Sequence, residues 1–181
     1  RACNRLLEID SRGGLTSDRD VTRRRWMLVD LDPDRVAGIS STDEEHAASI
    51  DRAAAVRAGL TAAGWPDPVC ADSSNGAHIL YRIDLAPDDE SAALIRAGLA
   101  TIAARWGGGG VTIDQTVYNA SRIVKLYGTR SMKGDATDRR PHRMSAITER
   151  PAVVEVVSHQ LLEALAGGDE QLDGLADEDG A

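Results

Sequence analysis

The sequence predicts an α+β fold in which helices pack on a mainly antiparallel sheet. Three observations lead to this class. Apolar segments of strand length stand at 24–31 and 77–85, an Asn-Gly pair at 75–76 stands where a hairpin would turn, and long helical patterns cover 41–64 and 89–106. With 181 residues and 42% hydrophobic composition, the chain has the size of one globular domain.

The first predicted elements are a strand and a helix. Residues 24–31 form the strand, which ends at Pro33 because proline cannot donate to a strand ladder. A helix follows over 41–64, and Thr42 with Glu45 fits the capping box that begins a helix.

A hairpin and a second helix come next. The segments "PVCADSS" and "AHILYRIDL" are predicted as two short strands joined at "SSNG", with Asn-Gly in the turn. The second helix covers "DESAALIRAGLATIAARW" (89–106), and "VTID" (111–114) is a further short strand.

The last third of the chain is predicted to be less regular. We expect one or two helical turns in "YNASRIVKLYG" and a long basic loop in "TRSMKGDATDRRPHR". One or two edge strands follow in "MSAITERPAVVEVVS", broken by Pro151, and "SHQLLEALAGG" is a terminal helix. The resulting order, βαββαβ, is that of the split βαβ, ferredoxin-like arrangement.

The composition predicts one domain over residues 1–166 and an acidic tail at 167–181. The tail holds six acidic residues and no basic one, which predicts disorder. The first residues lack the apolar stretch of a signal peptide. The sequence also has no long apolar run, so we expect no membrane partner. Cys3 and Cys70 form no CxxC motif, which argues against a zinc ribbon or a disulfide scaffold. We therefore expect a cytoplasmic protein.

Charge is distributed unevenly along the chain. The formal net charge is −8, yet segment 122–150 carries eight basic and three acidic residues, a net of +5. A basic band beside an acidic centre is suited to holding a polyanion and a metal ion together. A solvated charged surface would have the same composition, so the charge alone leaves both interpretations open.

The carboxylates at the end of the first strand are the strongest chemical signal. Asp30 and Asp32 point to the same face because side chains alternate along a strand, so their charges repel and need compensation. Carboxylate oxygens are ligands of Mg²⁺ and similar cations such as Mn²⁺, and a two-metal site wants a third acid. The best candidate is Asp114, also at a strand end. The alternatives are an Asx-turn at Asp30 and Asp32 and a routine strand-ending role for Asp114.

A second group of candidates lies on and beside the second strand of the hairpin. His78 and Arg82 share one face of that strand, which suits binding of a triphosphate or a sugar. Asn75 and Gly76 can offer backbone N–H groups to a phosphate. The alternative for His78 is a partly buried side chain satisfied by its neighbours.

The basic segment supplies candidate phosphate-binding residues. Arg122 and Lys125 are three apart and share a face if the segment is helical, and Lys133 follows after a turn. The run "RRPHR" (139–143) is a candidate clamp for a template backbone. The alternative is a solvated basic helix.

Three motifs in this order resemble a known family. "LVDLDPDR", "DSSNGAHILYRIDL" and "IDQTVYNASRIVKLYGTRSMKGD…RPHR" are similar to the catalytic domain of archaeo-eukaryotic-type primases. More narrowly, they resemble the small primase-polymerase domains of phage and plasmid replication proteins, which are often fused to a helicase. The resemblance covers residues 5–165.

The resemblance implies a function and a set of roles. It implies an RRM-like catalytic core with Asp30 and Asp32 as the paired acids, Asp114 as the third metal ligand and His78 as the nucleotide-binding histidine. The basic residues that match the family pattern would contact the incoming triphosphate or the template; they are Arg122, Lys125 and Lys133. The implied substrates are NTPs or dNTPs on a single-stranded DNA template, with Mg²⁺ or Mn²⁺ as cofactor and a replicative helicase, fused or separate, as partner.

The chain departs from the family pattern in three places, one of which is the run "GGGG" at 107–110, which is looser than the resemblance implies. The second motif usually reads Ser-Gly-Asn-Gly-x-His, and here Ser74, which the match places at the nucleotide, stands where the first glycine is expected. If that position has a positive φ, serine costs on the order of 1 kcal/mol there. Relatives also commonly have a strand before "NRLLEI". No helicase P-loop is present in this sequence.

Three functions follow for testing. The first is a DNA-templated nucleotidyltransferase, a primase or polymerase. The second is a replication initiator or accessory module that binds DNA or nucleotide on the same fold without turnover. The third, an HUH-type relaxase, is nearly excluded because it needs two histidines separated by one residue, and every histidine here is isolated: His46, His78, His142 and His159.

Overall fold

In residues 16–168, five strands form one antiparallel sheet, and three α-helices accompany it in an α+β arrangement. The computed structural model describes residues 16–168. In chain order the elements are β1 (Arg24–Pro33), α1 (Asp43–Ala62), β2 (Val69–Asp72), β3 (Ala77–Leu85), α2 (Asp89–Trp106), β4 (Val111–Ile113), β5 (Ala146–Glu149) and α3 (His159–Gly167), after a 3₁₀ turn at Asp18–Asp20.

The two longest strands form the centre of the sheet. The strand order is β4-β1-β3-β2-β5, and every neighbouring pair is antiparallel. In the β1–β3 pair, Asp30 lies opposite His78 and Trp26 lies opposite Arg82. β4 continues the sheet beside Leu31–Pro33, so the acidic end of β1 has neighbours on both sides.

The sheet has one apolar face and one mixed face. Alternate side chains of the central strands, such as Val29, Leu31, Ile79 and Ile83, are fully buried with residues of α1 and α2 in the core. Because successive side chains point to opposite faces, the intervening residues, including Asp30 and Asp32, face away from the core.

Helix caps explain why two of the helix predictions are accurate. Thr42 accepts from the backbone N–H of Glu45 and the Glu45 carboxylate accepts from the N–H of Thr42, so the predicted capping box is confirmed. Asp88 accepts from the N–H of Ser91 at the start of α2, which covers the predicted residues 89–106.

The predicted helical turns at 118–128 are wrong. Within that segment the structure has turns and extended chain, and no helix. The backbone N–H of Ser121 donates to the Asp18 carboxylate at 2.7 Å, and the Arg122 guanidinium donates to the Thr116 carbonyl oxygen. The contact with Asp18 thus occupies a backbone N–H that a helix would have bonded internally.

The hairpin is confirmed, but its turn differs from the expected one. The residue with positive φ is Ser74 (85°), and neither Asn75 nor Gly76 has one. Gly76 is needed for a different reason. A Cβ there would stand 2.1 Å from the Leu31 carbonyl oxygen, so only glycine allows the turn to lie against β1.

The C-terminal predictions are confirmed in part. β5 and α3 are present, and among the described residues beyond Pro151 only Val156 bridges to the sheet, beside Arg82. The disorder predicted for the acidic tail and the expectations for residues 1–15 fall outside the described residues. No helix in the described range, 16–168, combines the length and apolar character that crossing a bilayer requires.

Candidate active site

The register of β1 and β3 places an acid and a histidine side by side. Asp30 Oδ1 lies 3.2 Å from His78 Nε2, and the two side chains are 23% and 7% exposed. Both residues point away from the helices because they occupy alternate positions of paired strands. The sequence prediction that these residues share a site is therefore supported by direct contact.

Tyr127 completes this contact from the other side of the imidazole. Its hydroxyl lies 2.7 Å from His78 Nδ1, and the two rings meet edge to face. Burial and the negative charge of Asp30 raise the pKa of Tyr127 and favour the protonated phenol. When His78 Nε2 carries the imidazole proton toward the Asp30 carboxylate, Nδ1 is the acceptor and the Tyr127 hydroxyl donates to it.

Asp32 stands on the same face, two residues further along β1. About half of its side chain is covered, since its exposure is 48%. Burial and the neighbouring Asp30 charge raise the pKa of Asp32, while Arg35, Lys133 and His78 act in the opposite direction. The cations therefore compensate the two carboxylates only in part.

Arg35 is one of these compensating cations. Its side chain is 8% exposed and Nη2 lies 3.6 Å from Asp32 Oδ1. Its Nε and Nη2 have no hydrogen-bond partner in the described part of the chain. A buried guanidinium this close stabilises the charged form of Asp32. Arg35 carries no sequence signal of this role, because its position depends on the loop after β1.

Asp114 joins the group through the backbone of β1. Its N–H donates to the Asp30 carbonyl oxygen at 2.9 Å, directly after β4. Its carboxylate accepts from the N–H and the hydroxyl of Thr116, both at 2.7 Å. Asp114 is thus next to the acid pair, and its carboxylate also has the local turn contacts of the structural alternative.

A cavity of about 290 Å³ collects these residues. Its lining contains most of the predicted site, namely Asp30, Asp32, Asn75, His78, Asp114, Arg122, Lys125 and Lys133. The acids and histidine come from the sheet, whereas the three cations come from the segment after β4. Residues separated by up to a hundred positions in sequence therefore face one space.

The three cations differ in how firmly they are held. Arg122 donates to the Thr116 carbonyl oxygen, and Lys125 Nζ donates to Ser131 Oγ at 2.6 Å. Lys133 is exposed, and its positive charge acts to lower the pKa of Asp32. An anion in the cavity would meet all three charges.

Ser74 and Arg82 lie outside this cavity. Ser74 is fully buried, its N–H donates to Asp72 Oδ1 at 2.6 Å, and its hydroxyl has no partner among the described residues. Arg82 is on the predicted face, but it lies four residues from His78, roughly 13 Å along the strand. Its Nη1 donates to the carbonyl oxygens of Arg25 and Ile83, each at 2.7 Å.

Asn75 lines the cavity and also fixes the turn. Its side-chain oxygen accepts from the N–H of Ser41 at 2.9 Å, just before α1. The hairpin turn is thereby fastened to the start of the helix as well as to β1.

The predicted template clamp at 139–143 has an internal role. Arg140 makes two contacts with the Glu45 carboxylate, at 2.8 and 2.9 Å, and Arg143 contacts Asp43 at 2.5 Å. Negative side chains in the first turn of α1 attract these arginines, so the basic loop is held on the helix. These two guanidinium groups are therefore engaged within the protein, and a template clamp at 139–143 stays a prediction.

The donor chemistry fits a hard divalent cation. Asp30 and Asp32 offer carboxylate oxygens on one face, and their repulsion is incompletely offset by the protein. In residues 16–168, no three His, Cys, Asp or Glu side chains are gathered as a ready ligand set.

Comparisons of the chain with protein-family models, with curated proteins and with solved structures found no match in any of the three.

Proposed function

We propose that the chain is a DNA-templated nucleotidyltransferase, a primase or DNA polymerase, that adds NTPs or dNTPs to a strand with two Mg²⁺ or Mn²⁺ ions. The observation that carries this proposal is the shared cavity, in which Asp30, Asp32, Asp114 and His78 face Arg122, Lys125 and Lys133. Phosphoryl-type transfer requires acidic side chains that hold metal ions beside basic side chains that bind the phosphates.

The strand order supports an RRM-like core for this function. The first four strands lie in the order β4-β1-β3-β2, with one helix between β1 and β2 and another between β3 and β4. This is the order of the split βαβ arrangement, and β5 extends it beyond β2. The family resemblance of the three motifs agrees with the same core.

The acids would hold the cations. Asp30 and Asp32 present oxygens from β1, and Asp114 adds a third carboxylate from the end of β4. When bound, the cations would make the attacking 3′-hydroxyl more acidic and neutralise charge on the transferred phosphate. Arg35, whose side chain is buried beside Asp32, favours the ionised form of that carboxylate against the opposing effects of burial and Asp30.

The basic residues and His78 would bind the triphosphate. Lys133 and Lys125 are point charges for phosphate oxygens, and Arg122 offers a planar pair of donors. Tyr127 keeps the imidazole proton on His78 Nε2, where it can donate to a phosphate oxygen when Asp30 has another partner. Template would be supplied by a replicative helicase, fused or separate, as the resemblance implies.

Primer synthesis on single-stranded DNA tests the proposal. With Mg²⁺ or Mn²⁺ and separate NTP and dNTP pools, we expect incorporation by the wild type and at least about a 100-fold loss in Asp32→Asn, because one cation-holding charge is removed. Asp34→Asn is the matched control, since Asp34 is exposed, contacts Thr112 and does not line the cavity. Incorporation by Asp32→Asn at the wild-type rate would contradict the assignment.

A non-catalytic DNA- or nucleotide-binding module remains the second candidate. Two observations favour it: both nitrogens of His78 are held within the protein, and the Asp114 carboxylate is engaged by Thr116. Gel-shift binding of DNA without incorporation, under either metal, would select this function.

A further inference from the structure

A tryptophan and an arginine form an exposed pair on the mixed face of the sheet. Trp26 is 45% exposed although it lies within β1, and the Arg82 guanidinium stands 5.7 Å from the centre of its ring. Two backbone carbonyl oxygens fix Arg82 Nη1 in this position. The pair is therefore a flat, cationic and partly exposed surface with a set orientation.

Trp26 of this pair lines a second cavity, of about 520 Å³, which shares part of its lining with the carboxylate cavity of the candidate active site. Trp26 and Leu80 line the second cavity, while Leu28, Val117, Arg122 and Val124 line both. Trp26 lies four residues from Asp30 on the same face, roughly 13 Å along the strand. A ligand that enters the carboxylate cavity can therefore continue along the sheet to Trp26.

The charge of this groove indicates an anionic occupant. Arg25 and Arg122 line it and are exposed, whereas Arg24 is buried and donates to the Tyr118 carbonyl oxygen at 2.6 Å. Among the described residues, Asp20 is the only acidic one that lines this cavity. A partner with flat rings and regularly spaced negative charges satisfies both the aromatic surface and the arginines.

We propose that Trp26 and Arg82 form a stacking site for a base of single-stranded DNA, with Arg25 and Arg122 along the phosphates. At about 3.4 Å per stacked nucleotide, the separation from the carboxylates corresponds to roughly four nucleotides. The inference rests on the proposed function for the choice of a polynucleotide. It adds a second binding site, which holds the strand at a fixed distance from the reacting end.

Binding of labelled oligothymidylate in EDTA tests this site without any need for catalysis. Fluorescence anisotropy should show about 5- to 100-fold weaker binding by Trp26→Ala, and Trp26→Phe should stay within about twofold, because phenylalanine retains a stacking ring. Ile147→Ala is the matched control, since Ile147 is 52% exposed and lies on β5. We expect it to bind as the wild type does.

Removal of the Arg82 charge provides a second test of the stacking site. Arg82→Gln should weaken binding severalfold, while Arg105→Gln, which removes the same charge from the pair that Arg105 makes with Trp106 on α2, should not. Tryptophan emission of the wild type should be quenched by the oligonucleotide, and the quenching should be largely lost in Trp26→Phe. Equal affinities of Trp26→Ala and the wild type would overturn the stacking site, as would equal losses in Trp26→Ala and Trp26→Phe.

The two proposals can fail separately. Asp32→Asn should lose incorporation and keep its affinity for the oligonucleotide. A wild type that incorporates nucleotides while Trp26→Ala binds normally would refute the stacking site alone. A wild type that binds through Trp26 and never incorporates would refute the proposed function alone.

Discussion

Among single residues, His78 is distinguished by having both ring nitrogens in contact with protein groups. Nε2 meets Asp30 and Nδ1 meets the Tyr127 hydroxyl. The Tyr127 hydroxyl at Nδ1 and the Asp30 carboxylate at Nε2 together favour one tautomer, and we therefore assign the tyrosine as a positioning residue for the proposed phosphate contact. Its removal tests whether that proton matters.

Tyr127→Phe should lower kcat for nucleotide incorporation by about tenfold and leave oligonucleotide affinity unchanged, because the other tautomer of His78 becomes accessible. Incorporation at saturating template, with anisotropy as the second readout, measures both quantities. Tyr81→Phe removes the same atom from a buried ring that lines neither the carboxylate cavity nor the second cavity, and it serves as the control. An unchanged kcat in Tyr127→Phe would show that the tyrosine does not position the histidine for this step.

The acid and histidine of the site could be read from strand alternation, but Tyr127 and Arg35 could not. Alternation with a period of two fixes the face of Asp30, Asp32 and His78 whatever the rest of the fold does. Tyr127 and Arg35 reach the site from loops, where no periodicity relates sequence position to direction. Their contribution depends on contacts between distant segments.

At the scale of elements, the turn that joins β2 and β3 contains two positions with different backbone requirements. Ser74 has a φ of 85° and a buried hydroxyl without a partner among the described residues, whereas Gly76 lies against the Leu31 carbonyl oxygen. The first position is unfavourable for a residue with a side chain, and the second excludes one.

Ser74→Gly should raise the free energy of unfolding by about 1 kcal/mol, and Gly76→Ala should lower it by at least about 2 kcal/mol, because its Cβ would overlap the backbone of β1. Urea denaturation monitored by circular dichroism measures both changes. Ser73→Gly, the neighbouring control, should be neutral or destabilising, since its position does not have a positive φ. Destabilisation by Ser74→Gly would mean that the serine is favourable where it stands.

Helices that carry their own caps were predictable, and the segment at 118–128 was not. The ends of α1 and α2 are set by Thr42 and Asp88, which act on residues three positions away. The conformation of 118–128 is decided by Asp18, about a hundred residues earlier. The same distinction explains why the internal contacts of Arg140 and Arg143 could not be anticipated from their basic character.

Across the entire domain, the fold maintains an acid pair that it does not fully neutralise. The pKa of Asp32 is raised in the folded chain by burial and by Asp30, so its ionised form is less stable there than in the unfolded chain. The carboxylate therefore lowers stability above its folded pKa. That loss is relieved as the pH falls through the folded pKa toward the unfolded value near 3.8.

Asp32→Asn should be more stable than the wild type at pH 7 without added metal. We expect a gain in the free energy of unfolding of only about 0.5 kcal/mol, because half of the Asp32 side chain is in solvent. This gain corresponds to an increase of roughly 1–2 °C in melting temperature. The difference should shrink as the pH is lowered through the raised pKa and vanish near pH 3–4. Thermal melts of the two proteins across this range measure it, with Asp34→Asn as the control. A wild type more stable than Asp32→Asn at pH 7 would show that the surrounding cations outweigh the repulsion.

The overall architecture could be predicted from the order of its elements, except for the pairing of the edge strand β5. The order βαββαβ led to the correct class, a mainly antiparallel sheet with helices packed on it. The pairing of β5 with β2 joins residues about 75 positions apart across an irregular loop, and a four-residue exposed strand carries little pattern to indicate its neighbour.

The engagement of Arg140 and Arg143 with α1 has a consequence for how this domain would stay on its template. With those two guanidinium groups committed internally, fewer cations can release counterions from a bound strand than the number of basic residues suggests, so the intrinsic affinity should be correspondingly lower. Weak binders of this kind become effective when a tether holds them near their target, since a short linker supplies a local concentration in the millimolar range. Processive synthesis would then depend on whatever molecule keeps the strand within reach.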